Sequence, residues 1–301
     1  MNDKKILLIG PNGQVGWELL RCVQPLGQIV AAGRNGREHG QAYMDLADPD
    51  SIRNVVRDIK PAIIINAAAY TAVDNAEKET DLAHTINGTA PGILAEESQR
   101  LKTLLIHYST DYVFEGNNTQ PYTEQDAVNP LGVYGASKLV GEQAIQAIGG
   151  HYLILRTTWV YGLRGNNFLL TMQRLAKKRD ELKVVADQIG APTWSRLIAQ
   201  ATAHIIAQLY SPLYSSDIDG LSGIYHLTCA GQTNWYEFAK TIVAQSEKPP
   251  RVLPITTANY PAPAKRPAYS VLSNAKLAKT FGITLPAWDK ALELCLGAYD
   301  V

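Results

Sequence analysis

Short uninterrupted apolar runs alternate with helical patterns through the first half of this chain. Ile6 to Ile9, Gln28 to Ala32, Ala62 to Asn66, Lys102 to Tyr108 and Tyr152 to Arg156 read as strands. A run that is apolar at nearly every position buries both faces, as in a parallel sheet covered on both sides. Between these runs, apolar residues recur at helical spacing: Trp17, Leu19, Leu20 and Val23, then Ile52, Val55, Val56 and Ile59. Asp48-Pro49 marks the start of the second helix, with Pro49 in its first turn. Further helices are expected over about 90–99 and about 136–148. Right-handed crossovers assemble such units into an α/β fold, a doubly wound parallel sheet of Rossmann type.

After about residue 160 the pattern loosens. Gly162 to Asn167 is a polar loop. A helix over about 167–179 and a strand at Leu182 to Val185 follow, then a loop from Asp187 to Thr193. A helix over roughly 195–209 precedes the polar stretch Ser211 to Gly220, and Gly223 to Thr228 reads as a returning strand. The remainder is proline-rich, with helices near 234–246 and 273–281, and is too small to stand alone. It reads as a smaller C-terminal substrate lobe.

Charge narrows the function. Lys plus Arg and Asp plus Glu number 28 each, so no net field draws the chain to nucleic acid or to an anionic membrane. No stretch is apolar over the ~18 residues a membrane span needs. Three distant cysteines, Cys22, Cys229 and Cys295, argue against a disulfide framework and a cysteine-based zinc site. The six histidines show no metal-ligand spacing and read as structural. No metal is expected from the residues themselves, and a reduced, cytoplasmic setting is.

Three constellations carry chemistry, and each sits where a strand is expected to end. The first is Gly10-Pro11-Asn12-Gly13-Gln14-Val15-Gly16, between strand and helix. Gly10 permits a tight turn, Gly13 lets backbone N–H groups approach a pyrophosphate, and Gly16 lets the helix pack on the strand. The helix N-terminus favours the phosphates. Gly33-Arg34 stands where an acid would bind a ribose 2′-hydroxyl, and an arginine there suits a 2′-phosphate. That favours NADPH, with NADH as the alternative. Asp45 and Leu46 suit an adenine, and Ala67, Ala68, Ala69 and Tyr70 leave room for a cofactor across a strand end.

The second constellation is Tyr134-Gly-Ala-Ser-Lys138, with Ser109-Thr110 upstream. In a helix Tyr134 and Lys138 lie one turn apart, which puts an ammonium near a phenol. A neighbouring cation lowers a phenol's pKa, fitting Tyr134 for proton transfer. Lys138 would also hold the nicotinamide ribose, and Thr110 would polarise the substrate oxygen. The expected chemistry is reduction of a carbonyl by a nicotinamide. The third constellation is Lys265-Arg266 between prolines, two cations suited to a diphosphate. The dinucleotide domain is expected over 1–162 and 194–228, with the substrate lobe over 163–193 and 229–301.

These residues resemble the extended short-chain dehydrogenase/reductases, and among them the dTDP-4-dehydrorhamnose reductases. The resemblance spans nearly the whole chain. It rests on Gly10 to Glu18, Asn66 to Asp74, His107 to Phe114, Tyr134 to Lys138, Arg156 to Tyr161, Gly165 to Phe168, Asp187 to Thr193 and Pro263 to Pro267. It implies NADPH-dependent reduction of the 4-keto group of a dTDP-6-deoxy sugar to dTDP-L-rhamnose. Thr71, Val73, Tyr112 and Trp159 match positions lining the sugar pocket, and Asp111 and Asn167 fall in the same motifs. Some members bind magnesium at a dimer interface through glutamates. Glu18 matches one such position, but Arg196 stands at another, which argues against Mg2+ and leaves a homodimer open. Two readings compete: another nucleotide-sugar 4-ketoreductase or epimerase of this fold, and a non-catalytic NADP(H)-binding regulatory subunit. The presence of Thr110, Tyr134 and Lys138 together favours an enzyme.

Overall fold

The structure, a computed structural model, describes residues 4–34, 36, 42–211 and 218–297. Its strands are β1 (Lys5–Ile9), β2 (Gln28–Gly33), β3 (Ala42–Tyr43), β4 (Ile63–Asn66), β5 (Leu104–Thr110), β6 (Tyr152–Thr157), β7 (Val160–Tyr161), β8 (Glu181–Val185), β9 (Ile189–Gly190), β10 (Thr193–Trp194), β11 (Gly223–His226), β12 (Thr233–Asn234) and β13 (Arg251–Ile255). Its helices are α1 (Gln14–Cys22), α2 (Pro49–Ile59), α3 (Val73–Ala76), α4 (Thr80–His84), α5 (Ala90–Leu101), α6 (Val133–Ile148), α7 (Phe168–Ala176), α8 (Ser195–Leu209), α9 (Trp235–Val243), α10 (Ala275–Phe281) and α11 (Trp288–Gly297).

Seven strands form one parallel sheet in the order β11-β6-β5-β4-β1-β2-β3. Alternation along each strand explains the unbroken apolar runs. Ile6, Leu8, Ile63, Ile65, Leu104 and Ile106 join the core that contains Leu19 of α1, Ile198 and Ile205 of α8, and Leu277 and Phe281 of α10. Leu7, Ile9, Ile64, Leu105 and Ile154 join the opposite core, with Ile52 and Val56 of α2, Ile93 and Leu94 of α5, and Ile145 of α6. Each such side chain contributes roughly 1.5–3 kcal/mol on burial. The chain leaves β1 for β2 and β3, then returns across β1 to β4. That reversal opens a crevice beyond the carboxyl ends of β1 and β4.

Two smaller cores form besides those on the two faces of the sheet. One gathers Tyr161, Leu169, Met172, Trp194, Phe238 and Leu292. The other gathers Val113, Phe114, Tyr122, Tyr269, Val271 and Leu272. β8 pairs in parallel with β13, which leaves Pro254 in a two-stranded sheet, where a proline is tolerated.

Several elements depart from the sequence expectation. β5 runs on through Thr110, and α6 starts at Val133 rather than near 136. The earlier start follows from Glu77, whose carboxylate accepts the Val133 N–H at 2.9 Å and caps the helix from outside. β13, α3, α4 and α11 lacked a clear periodic signal and were not expected. The polar stretch Ser211 to Gly220 falls mostly outside the described residues. Among the described residues, no helix is long and apolar enough to cross a membrane.

Candidate active site

Backbone crowding explains two of the three glycines. Gly10 has φ +82°, and a Cβ there would lie 2.8 Å from the Ala68 nitrogen. A Cβ on Gly16 would lie 2.0 Å from the Gly10 carbonyl oxygen. Gly13 differs: a Cβ would meet only the Gly10 oxygen, at 3.5 Å, an ordinary contact. Its smallness serves whatever approaches the loop, not the packing beneath. Gly13 is also the N-cap of α1, with no side-chain cap and no acid in the first turn. The first N–H groups of α1 thus keep their partial positive charge, which suits a phosphate.

The loop opens onto a cleft of about 560 Å³. Asn12, Gln14 and Val15 line it with the glycines Gly10 and Gly13. So do Arg34, Asp45, Leu46, Ala67, Ala68, Ala69 and Thr71, and at the far end Ser109, Tyr134, Lys138 and Thr157. Arg34 is exposed at the lip. The Asp45 carboxylate accepts the Ala47 N–H at 2.9 Å. The buried hydroxyls of Ser109 and Thr157 have no hydrogen-bond partner in the wall. Orphaned hydroxyls, bare helix N–H groups and an unobstructed Gly13 together fit an extended dinucleotide. Gly16 lies behind the wall, in its packing role.

Thr110, at the end of β5, meets Tyr134 in the first turn of α6. The Tyr134 phenol is pushed up to about 12 by burial, lowered somewhat by the Thr110 hydroxyl beside it and raised by Asp111. The Tyr112 ring stands edge-on to it at 5.5 Å. The expectation that Lys138 lowers this phenol is not met. Lys138 is buried, and its Nζ donates to the Tyr108 carbonyl oxygen at 2.6 Å and lies 3.1 Å from His107 Nε2. Its own pKa is pushed down by burial to about 8. Helical spacing sets the two side chains on one face, but β5 supplies the acceptor toward which the lysine turns.

Asp111 does not line the cleft. It is buried, accepting from Thr158 Oγ1 at 2.6 Å and from Thr110 Oγ1 at 3.0 Å, and burial pushes its pKa up to about 6. Its work is to hold Thr110. Tyr70 is likewise turned from the cleft, with its hydroxyl on Glu79. Its backbone N–H donates to Asn87 Oδ1 at 2.8 Å, and Asn87 Nδ2 returns to its carbonyl at 3.0 Å. Asn87 therefore anchors the alanine wall, and no signal in the sequence singled it out. Asn66, His107 and Thr157 lie within motifs that carry the resemblance, but the sequence analysis assigns none of the three a role of its own.

The sugar-side candidates come from separate segments, and of them only Thr71 lines this cleft. Val73 opens α3 and is half-buried, while Thr71 is exposed. Trp159 holds φ +43° and stacks on Trp235 at 3.6 Å, with Gly190 pressed beneath its ring. Asn167 is buried as a structural tie, not as a wall residue. Its Nδ2 donates to Gln14 Oε1 at 2.9 Å and to the Gly162 oxygen at 2.8 Å, while Oδ1 caps α7. Arg266 is paired with Asp74 at 2.8 Å, whereas Lys265 is exposed. The expected cation pair thus presents one committed and one solvated charge. Arg196 Nε donates to Glu18 Oε2 at 3.2 Å, so an arginine occupies the carboxylate. Among the described residues, no cluster of three or more His, Cys, Asp or Glu side chains could hold a metal.

Known proteins resemble this chain over nearly its whole length. The family model described as RmlD substrate binding domain matches residues 4–301. The dTDP-4-dehydrorhamnose reductase of Burkholderia thailandensis is 49% identical over 300 residues, covering 97% of this chain and 98% of that one. The crystal structure of a dTDP-4-dehydrorhamnose reductase from Clostridium acetobutylicum matches with a TM-score of 0.89 and 36% identity, covering 99% of this chain and 100% of that one. The Bacillus anthracis dTDP-4-dehydrorhamnose reductase, solved in complex with NADP, matches with a TM-score of 0.88 and 37% identity, again over 99% and 100%.

Proposed function

The chain belongs to the RmlD substrate binding domain family, and we propose that it is a dTDP-4-dehydrorhamnose reductase. It reduces the 4-keto group of dTDP-6-deoxy-L-lyxo-4-hexulose to dTDP-L-rhamnose with NADPH, in the cytoplasm. The observation that carries this reading is that Tyr134, hydrogen-bonded to Thr110, and Lys138 line the end of a cleft that begins at the glycine loop.

When bound, the reduced nicotinamide supplies a hydride to the carbonyl carbon. Everything else falls to this chain's residues. Residues Gly10 to Gly16 and the first turn of α1 receive the pyrophosphate, and Arg34 receives the ribose 2′-phosphate. The Thr110 hydroxyl turns from Asp111 to the substrate oxygen. Tyr134 gives its phenolic proton to that oxygen and recovers one from solvent. Burial keeps the phenol protonated at neutral pH, which is the form a donor needs. Lys138 holds the nicotinamide ribose. Residues 163–193 and 229–301 form the lobe that receives the sugar nucleotide, with Lys265 near its diphosphate and Trp159, Tyr112, Thr71 and Val73 about the sugar. Glu18, its carboxylate held by Arg196, is not free to serve as a metal ligand.

The test is NADPH oxidation with the 4-keto sugar made in situ by its dehydratase and epimerase. Wild type should turn over and yield dTDP-rhamnose, with Tyr134→Phe slower by roughly 100-fold. Cofactor binding without turnover would point to another nucleotide sugar or to the regulatory reading.

A further inference from the structure

The segment Asp187 to Gly190 carries part of the resemblance, yet neither the cleft nor the chemistry above uses it. Its surroundings show what it supports. β9 pairs antiparallel with β12, which sets Gly190 opposite Thr233 and Ile189 opposite Asn234. Asn234 accepts the Glu237 N–H at 2.8 Å and caps α9, whose first residue is Trp235. The Trp235 ring is thereby laid flat on the Trp159 ring, with 3.6 Å between centroids and 8° between planes. Phe168 packs on Trp235 as well, at 4.6 Å.

The two indoles are held by different means. Trp235 Nε1 donates to Gln188 Oε1 at 3.2 Å. An indole N–H only donates, so the carbonyl oxygen of the Gln188 amide faces it and the NH2 faces away. That NH2 donates to Thr257 Oγ1 at 3.1 Å, and Thr257 gives its own hydrogen to Asp187 Oδ1 at 2.7 Å. Asp187 also accepts the Thr257 N–H at 2.8 Å. The chain of bonds is satisfied in one orientation, and Gln188 is buried, so Trp235 is a fixed surface. Trp159 is held by packing. Its φ is +43°, a left-handed backbone that a bulky residue keeps only when its surroundings impose it. A Cβ on Gly190 would lie 2.7 Å from both Cζ2 and Nε1 of Trp159, so glycine there leaves the ring room to lie against Trp235. Thr158, the residue before Trp159, donates to Asp111 at 2.6 Å, and Asp111 accepts from Thr110 at 3.0 Å. The carboxylate that holds Thr110 thus also fixes the neighbour of Trp159.

We propose that Trp235, Gln188 and Gly190 are positioning residues that clamp the Trp159 ring as a preformed wall for the sugar of the nucleotide-sugar substrate. The identity of that substrate rests on the reductase reading; the clamping of the ring does not. An indole face suits a deoxy sugar, whose methyl and C–H groups make an apolar side. A ring that is already ordered spares the complex the cost of immobilising it, worth about 2- to 10-fold in affinity.

The test pairs NMR of the full chain without ligand with kinetics. Nitrogen-15 relaxation at the five tryptophan indole N–H groups, assigned by substitution, reads the mobility of each ring. Trp159 should be as ordered as the backbone in the unaltered protein, with an order parameter of about 0.85, and should fall below about 0.6 in Trp235→Leu. In the same variant the KM for the 4-keto sugar should rise by about 2- to 10-fold, while kcat and the KM for NADPH change by less than about twofold. Trp235→Phe keeps a ring against Trp159 and should recover most of both effects. Gly190→Ala pushes the Trp159 ring from its other neighbour and should raise the sugar KM likewise; it decides the matter should Trp235→Leu not fold. An order parameter unmoved in Trp235→Leu, or a sugar KM unmoved while the ring is freed, overturns the proposal. A wild type without turnover would strike the reductase reading, whereas the relaxation, measured without substrate or cofactor, judges the clamp by itself.

Discussion

Gly13 and Gly16 separate two demands that one loop places on glycine. Gly16→Ala drives a methyl to 2.0 Å from the Gly10 carbonyl, which backbone cannot yield without moving the loop. The expected cost is about 1–3 kcal/mol of stability, together with lost NADPH binding. Gly13→Ala meets only an ordinary contact and should stay within about 1 kcal/mol of wild type while still weakening NADPH. Fluorescence titration beside chemical denaturation checks both, and equal stability of the two variants would contradict the assignment. Asp111 supplies a pH-dependent counterpart. Burial raises its folded pKa to about 6 from an ordinary 3.8. The folded state then holds the proton more tightly, so the cost of burying the carboxylate is fully present above about 6 and is relieved as the pH falls toward 4. The stability of wild type relative to Asp111→Asn should therefore grow on acidification, on the order of 3 kcal/mol over that window. Unfolding curves at a series of pH values give that difference directly.

At the scale of elements, the alanine wall and α6 are held by parts distant in sequence. Asn87 lies in the turn of π-helix over Thr85–Thr89 and bonds both the N–H and the carbonyl of Tyr70, and also Ser137 Oγ. Asn87→Ala leaves those groups without a partner, at a cost of about 1–3 kcal/mol. We expect the KM for NADPH to rise as the wall loosens, with kcat less affected; a lower kcat at unchanged KM would place Asn87 elsewhere in the mechanism. The central-sheet strands β1, β4 and β5 were legible because continuous burial on both faces leaves an unbroken apolar run. β13 was not, since it pairs with one strand only and carries Pro254. α11 was missed for a similar reason: Ala291, Leu292, Cys295 and Leu296 make a modest apolar stripe, and only the core from α7 and α9 gives it a partner.

Across the whole molecule, the glycine loop and the segment after β7 meet through Gln14 and Asn167, 153 residues apart. Asn167 also caps α7, so Asn167→Ala should cost about 1 kcal/mol through the lost cap and weaken NADPH as Gln14 is released. Restored NADPH affinity in Asn167→Asp, which keeps the cap but not the donor to Gln14, would sink the coupling. The sequence by itself determined the doubly wound sheet, the glycine turn and the presence of a tyrosine, a lysine and a threonine at strand and helix ends. Those features are local, written in burial period and backbone crowding. Only the tertiary structure decided where the Lys138 side chain turns, that Asp111 is buried behind Thr110, and that Arg196 closes on Glu18. Each of these depends on which donor or acceptor a distant element brings within about 3 Å, and hydrogen bonds fall away too steeply with distance and angle for spacing along the chain to specify them.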